Sequence, residues 1–136
     1  MQLDAYLHFN GNCEEALDFY AAALGGKIEN LNRFEGSPME KEVGDDAKQR
    51  VMHATLVAGD LKLMASDGLP EHEHHAGTDS NVSLSLGTSD RAEADRVFAA
   101  LSDGGKVTQP LEPVFWGGRF GMLTDRFGIS WMMSAG

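Results

Sequence analysis

Two rhythms of apolar and polar residues run along this chain, and each occurs twice. Leu3 to Phe9 reads as a strand, which Asn10-Gly11-Asn12 breaks. Cys13, Ala16, Leu17, Tyr20 and Leu24 then recur at helical spacing and make one apolar face. Asn12 followed by Glu15 fits a capping box, and Gly25-Gly26 supplies the helix stop. Lys27 to Phe34 is a second strand. Glu35 to Arg50, charged and interrupted by Gly36, Pro38 and Gly44, is expected to be a mobile connector. Val51 to Val57 and Leu61 to Ser66 flank Ala58-Gly59-Asp60 and read as a hairpin. A long polar loop from Asp67 to Ser80 follows.

A second unit copies the first. Asn81 to Leu86 reads as a strand, Thr88-Ser89-Asp90 as a turn, and Ala94, Val97, Phe98 and Leu101 as a helical stripe. Gly104-Gly105-Lys106-Val107 repeats Gly25-Gly26-Lys27-Ile28 at an offset of 79, which also pairs Phe19 with Phe98. Leu63-Met64-Ala65-Ser66 resembles Trp131-Met132-Met133-Ser134 at an offset of 68. The stretch from Val114 to Ser134 holds both tryptophans and reads as strand, Asp125-Arg126-Phe127-Gly128 turn, strand. The predicted fold class is α+β: two βαβββ modules, about 1–68 and 81–136 of a single domain 1–136, forming curved mixed sheets around a cleft with helices outside.

Composition narrows the functions. With 11 basic and 21 acidic residues the net charge is -10, which repels nucleic acid and anionic membranes as main partners. A single cysteine, Cys13, excludes an intramolecular disulfide framework, and no apolar run resembles a signal peptide or a membrane span, so a cytoplasmic protein is expected. Cys13, on the apolar side of the first helix, reads as a small buried residue.

The two modules, together with Tyr6-Leu7-His8-Phe9-Asn10-Gly11-Asn12-Cys13, Met64-Ala65-Ser66-Asp67, Phe115-Trp116-Gly117-Gly118-Arg119-Phe120-Gly121 and Thr124-Asp125-Arg126-Phe127-Gly128, resemble the vicinal oxygen chelate superfamily, and more narrowly its PhnB-like subgroup. That superfamily includes glyoxalase I, extradiol dioxygenases and bleomycin resistance proteins. Members of the subgroup also carry the label demethylubiquinone methyltransferase. The sequence lacks the glycine-rich strand-to-helix loop of a Rossmann-like methyl-donor site.

The resemblance implies four metal ligands, one from the first and last strand of each module. Aligned on Asp18-Phe19-Tyr20 and on the Asp125 turn, they fall on Ala5, Met64, Asn81 and Met132. Alanine donates nothing, thioethers are poor ligands for hard cations, and a lone Asn is weak, so no metal and no cofactor are expected. Strand parity then lines the cleft with Met64, Asn81, Ser83, Ser130 and Met132, together with Leu7 and Phe9, and sends Trp131 into the core. Trp116 reads either as core filling or as an aromatic wall at the cleft mouth. Arg119 reads either as a positive handle or as the partner of Asp125 or Asp67 in an ion pair.

Among the histidines, parity turns His8 away from the cleft, subject to a one-residue slip, while His53 is the candidate acid or base. His72, His74 and His75 with Glu71 or Glu73 read as a solvated loop or as a loose metal site. The leading expectation is a metal-independent protein that binds a small, partly apolar molecule; the resemblance adds a homodimer. The rival is an enzyme of the same superfamily, either metal-dependent through shifted ligands such as His53 and Asp67 or metal-free through His53. A blander reading gives the chain a role in association alone.

Overall fold

The computed structural model describes residues 1–69 and 81–136. The chain divides into two compact units, Met1–His75 and Ala76–Gly136. The first contains β1 (Ala5–Phe9), α1 (Cys13–Leu24), β2 (Lys27–Arg33), β3 (Val51–Ala58) and β4 (Leu61–Asp67). The second contains β5 (Leu84–Thr88), α2 (Arg91–Ser102), β6 (Lys106–Pro113), β7 (Arg119–Thr124) and β8 (Ser130–Ala135). Each unit is one open four-stranded mixed sheet with a helix on one face. The orders are β1-β4-β3-β2 and β5-β8-β7-β6, with the first and last strands of each unit parallel and the remaining pairs antiparallel. The α+β class and the paired βαβββ organisation are therefore as expected. No helix among the described residues is long and apolar enough to cross a membrane.

The repeated Gly-Gly-Lys motif has one geometric meaning in both units. Gly25 and Gly104 take left-handed backbone, with φ of 71° and 76°, where a side chain is strained. The glycine after each lies against the end of a strand. A Cβ on Gly26 would sit 2.7 Å from Ala58 Cβ, and one on Gly105 2.8 Å from Asp125 Cα. Each motif thus ends a helix and lets the next strand start tight against its sheet.

The helix starts are built differently. No side chain of Asn12 caps α1, so the expected capping box is not formed. Asp67, at the far end of β4, caps it instead: Oδ1 accepts from Gly11 N at 2.8 Å and from Cys13 N at 2.9 Å. Its Oδ2 accepts from Val51 N at 2.8 Å, so one buried carboxylate ties α1, β3 and β4 together. In the second unit Asp90 is a local cap, accepting from Glu93 N at 3.2 Å. There the buried Asp125 holds the β7–β8 turn, accepting from Phe127 N, Ile129 N and Trp131 Nε1 at 2.8, 3.0 and 2.8 Å.

One strand and one connector differ from expectation. β5 begins at Leu84, not Asn81, because its partner β8 begins at Ser130. In the observed register Leu84 stands beside Trp131, so Asn81 would fall opposite Gly128, in the turn, with no strand to pair with. The connector 35–50 is closed by successive turns and tied at its base by Phe34 N to Arg50 O and Glu35 N to Lys48 O.

Candidate functional site

Each sheet has a face packed on the helix of its own unit and an opposite face that this helix leaves free, and alternation assigns residues to one or the other. In the first sheet Leu63, Ala65 and Asp67 of β4 are buried on the helix side, and their register partners on β1 are Ala5, Leu7 and Phe9. Phe9 is buried, at 4% exposure, in the company of Asp67. This corrects the expected parity of β1: Leu7 and Phe9 lie on the helix side, Phe9 in the core, and Ala5 and Met64 lie on opposite faces. The helix-free face instead receives Tyr6 beside Met64 and His8 beside Ser66, the one-residue slip that reverses His8.

These residues gather around His53. On β3, Val57, Thr55 and His53 alternate with Ala54, Leu56 and Ala58, and Thr55 stands beside Met64. Tyr6 Oη lies 3.2 Å from His53 Nδ1, and Thr55 Oγ1 lies 3.4 Å from Nε2. The Tyr6 ring is 5.1 Å from that of His8 and 5.7 Å from that of His53, inclined by 36° and 37°. The expected phase of β1, one residue out, hides Tyr6 and turns His8 away; Thr55, on β3, carries no signal of its own in the sequence.

In the second sheet Trp131 and Met133 are buried beneath α2, while Ser130 and Met132 are half-buried on the helix-free face. Ser85 of β5 and Met122 of β7 flank Met132. Asn81 and Ser83 are exposed and precede β5, so they are not part of a strand lining. Trp116 is 62% exposed, on a turn where Gly117 and Gly118 have φ of 102° and 72°. Its ring meets Phe115 at 4.9 Å and Phe120 at 5.9 Å, both edge-on. Phe120 is beside Ser134, which places this aromatic group on the helix-free side.

Arg119 goes the other way. Its register partner is Ala135 on the helix side, where Nη2 donates to Asp95 Oδ1 of α2 at 2.7 Å and to the Leu111 carbonyl at 3.1 Å. The expected partners Asp125 and Asp67 are engaged with backbone and indole N–H groups, so the ion pair exists with a different acid. Arg119 therefore does not share a face with Ser130 and Met132.

The donors that the resemblance supplies do not fit a divalent cation. Ala5 is turned to the helix side, Met64 and Met132 present thioethers, and Asn81 lies outside the sheet. Asp67 of the shifted set has both oxygens occupied by N–H donors. No group of three or more His, Cys, Asp or Glu among the described residues is arranged to hold a metal ion. His72, His74 and His75, with Glu71 and Glu73, lie outside the described residues. Cys13 is fully buried, and burial, reinforced by Asp67 and Glu14, pushes its thiol up to about 12, so it is no nucleophile at neutral pH. A hollow of about 360 Å³ lies along β2, but Arg33 in its wall is committed to Glu14 at 2.9 and 3.0 Å.

Comparison with known proteins agrees with this architecture. The model of the family described as 3-demethylubiquinone-9 3-methyltransferase matches residues 2–134. The crystal structure of protein PA1353 from Pseudomonas aeruginosa shares 44% identity with a TM-score of 0.85, covering 99% of this chain and 97% of that one. The PhnB protein from Bacillus cereus is 25% identical with a TM-score of 0.77, and both chains are covered in full, at 100%. A glyoxylase/bleomycin resistance protein/dioxygenase domain from Frankia sp. EAN1pec is 16% identical with a TM-score of 0.69, covering 100% of this chain and 97% of that one, a likeness of fold alone.

Proposed function

This chain belongs to the 3-demethylubiquinone-9 3-methyltransferase family, with the glyoxalase/bleomycin-resistance fold, and from that premise we propose that it binds a small organic molecule without a metal. The observation that carries this is the group of Tyr6, His8 and His53 rings on the sheet face opposite α1. Exposed aromatic area beside a few fixed polar atoms and the soft Met64 suits a flat, partly apolar ligand. Met132, Ser130 and Trp116 give the second sheet a surface of its own, which we propose as a second ligand-binding set. Asn81, Ser83 and Arg119 are left out because of where they stand.

Methyl transfer, the activity in the family's description, is not what we propose. A methyl-donor nucleotide needs free N–H groups at a strand-to-helix turn. Here Gly11 N and Cys13 N at the β1–α1 turn are consumed by Asp67. A cytoplasmic homodimer completes the proposal; the superfamily resemblance favours the dimer and the lone reduced thiol favours the compartment. Light scattering should then give a mass of twice 14.7 kDa.

The binding experiment is tryptophan fluorescence against a panel of planar oxygenated metabolites. Trp131 is 2% exposed, so a ligand-induced change should come from Trp116 and disappear in Trp116→Phe. A thermal-shift measurement on the same panel should show stabilisation, and for molecules held by the first sheet Tyr6→Ala should remove it. Silence of the wild type across both readouts would rule out the binding role.

A further inference from the structure

Three side chains from two strands form one hydrogen-bonded line on the helix-free face of the first sheet. His53 has the Tyr6 hydroxyl at Nδ1, 3.2 Å away, and the Thr55 hydroxyl at Nε2, 3.4 Å away. Which way the protons point in such a line depends on the charge of the ring. A neutral imidazole donates from one nitrogen and accepts at the other, whereas a charged one donates from both. With the proton of the neutral ring on Nε2, the Tyr6 O–H is spent inward on Nδ1. When the ring is charged, both hydroxyl oxygens must accept, and the Tyr6 O–H is turned outward. Protonation of His53 therefore creates a hydrogen-bond donor at the tip of Tyr6, which is 39% exposed.

We infer that this line is a binding site for a planar molecule with a weakly acidic hydroxyl, a phenol or an enol, held as its oxyanion with the released proton on His53. The Tyr6 proton passes to Nδ1 as the ligand's proton passes to the Tyr6 oxygen: the ligand O–H and the inward Tyr6 O–H break, an Nδ1–H and an outward Tyr6 O–H form, and the oxyanion accepts that outward O–H. Charge is conserved: a neutral ligand and a neutral ring become an anion and a cation. This suits a chain of net charge -10, which would repel a ligand arriving as an anion but not one that brings its own proton.

Two features of the surroundings point the same way. The Tyr6 ring lies between those of His8 and His53 at inclinations below 40°, a shallow shelf on which a flat ring can stack. The charged groups facing the line are few. From β2 come Glu29, beside Thr55, and the uncharged Asn32, beside His53. Lys27 is paired with Glu29 at 3.6 Å. From β4 comes Lys62, on the face of Met64 and beside Val57, and from β1 only Tyr6 and His8.

This inference rests on the binding role proposed for that face, and the probe separates the two. 4-Nitrophenol is suitable because its neutral and anionic forms absorb at different wavelengths. Titrated with wild-type protein at a pH where the free probe is mostly neutral, it should show the phenolate spectrum in the bound fraction. Tyr6→Phe should weaken binding about tenfold, the loss of one hydrogen bond to a charged group. His53→Gln should abolish the phenolate signal. Both substitutions lie on an exposed or half-exposed face, and their melting temperatures serve as the folding control. A bound probe with the neutral spectrum, an unchanged affinity in Tyr6→Phe, or no binding to the wild type would each overturn the inference. A metabolite panel that still registers through Trp116 would leave the broader binding role standing.

Discussion

The tie made by Asp67 is a contact whose removal should cost this protein heavily. Asp67→Ala strips an acceptor from three N–H groups, on Gly11, Cys13 and Val51, at 2.8, 2.9 and 2.8 Å. Hydrogen bonds to a charged group contribute roughly 1.5–3 kcal/mol each, and a carboxylate at a helix N-terminus adds about 0.3–1 kcal/mol. The three bonds share one side chain and water can reach exposed Gly11, so they do not add in full; a loss of about 4 kcal/mol is expected. For a chain of this size that lowers the melting temperature by roughly 12–16 °C. Asp67→Asn keeps one carbonyl oxygen but turns an NH2 group towards a donor, and should cost about half as much. The control is Asp90→Ala, which removes one exposed cap on α2 and should cost about 1 kcal/mol. Thermal and urea unfolding followed by circular dichroism would measure all three. If Asp67→Ala melts no lower than Asp90→Ala, the carboxylate does not join the helix to the sheet in the way its distances indicate.

Other consequences are more local. Cys13 should resist thiol reagents in the native protein and react once it unfolds. Its thiol is raised from the ordinary value of 9.0 to about 12 in the fold, by burial first and then by Asp67 and Glu14. A thiol that is harder to ionise when folded adds stability that is complete below pH 9.0 and is lost as pH rises through about 12. Stability measured across that alkaline window should therefore fall more steeply in the wild type than in Cys13→Ala, and parallel curves would refute it. At the glycine pair, Gly26→Ala should cost about 2–3 kcal/mol, because its Cβ meets packed backbone, and Gly25→Ala only about 1 kcal/mol of conformational strain. The reverse order of melting temperatures would mean that the close approach in the first unit relaxes freely.

Much of the fold was legible because its signals are local. The helical stripes of α1 and α2, the Gly-Gly stops and the Asp125 to Gly128 turn are each written within a dozen residues, and the offsets of 79 and 68 joined them into two copies. β8 was read correctly from its own alternation: Trp131 and Met133 are buried, and Ser130 and Met132 lie on the other face. What depended on distant partners was not legible. Asn12 and Glu15 spell a capping box, yet the cap comes from Asp67, 54 positions beyond Cys13. Arg119 likewise found its acid on α2, at neither of the positions the sequence suggested.

The phase of β1 decided where the candidate site would be found, and the reason it was misjudged is physical. Its face was inferred by counting back from the Asp18-Phe19-Tyr20 helix through Asn10-Gly11-Asn12. That link contains Gly11 at a φ of 103°, and an irregular link of this kind transmits no phase from a helix of period 3.6 to a strand of period 2. The strand held the answer itself. Leu3, Ala5, Leu7 and Phe9 are apolar at odd positions, and Asp4, Tyr6, His8 and Asn10 are polar or amphipathic at even ones. A strand with a helix on one face puts its apolar set there, and a slip of one residue moves every side chain to the other face. Applied to β1 as it was to β8, that rule sets Phe9 in the core and brings Tyr6 and His8 to His53. That aromatic and imidazole group follows from the alternation of eight residues, once the alternation is allowed to outweigh an alignment measured across a turn.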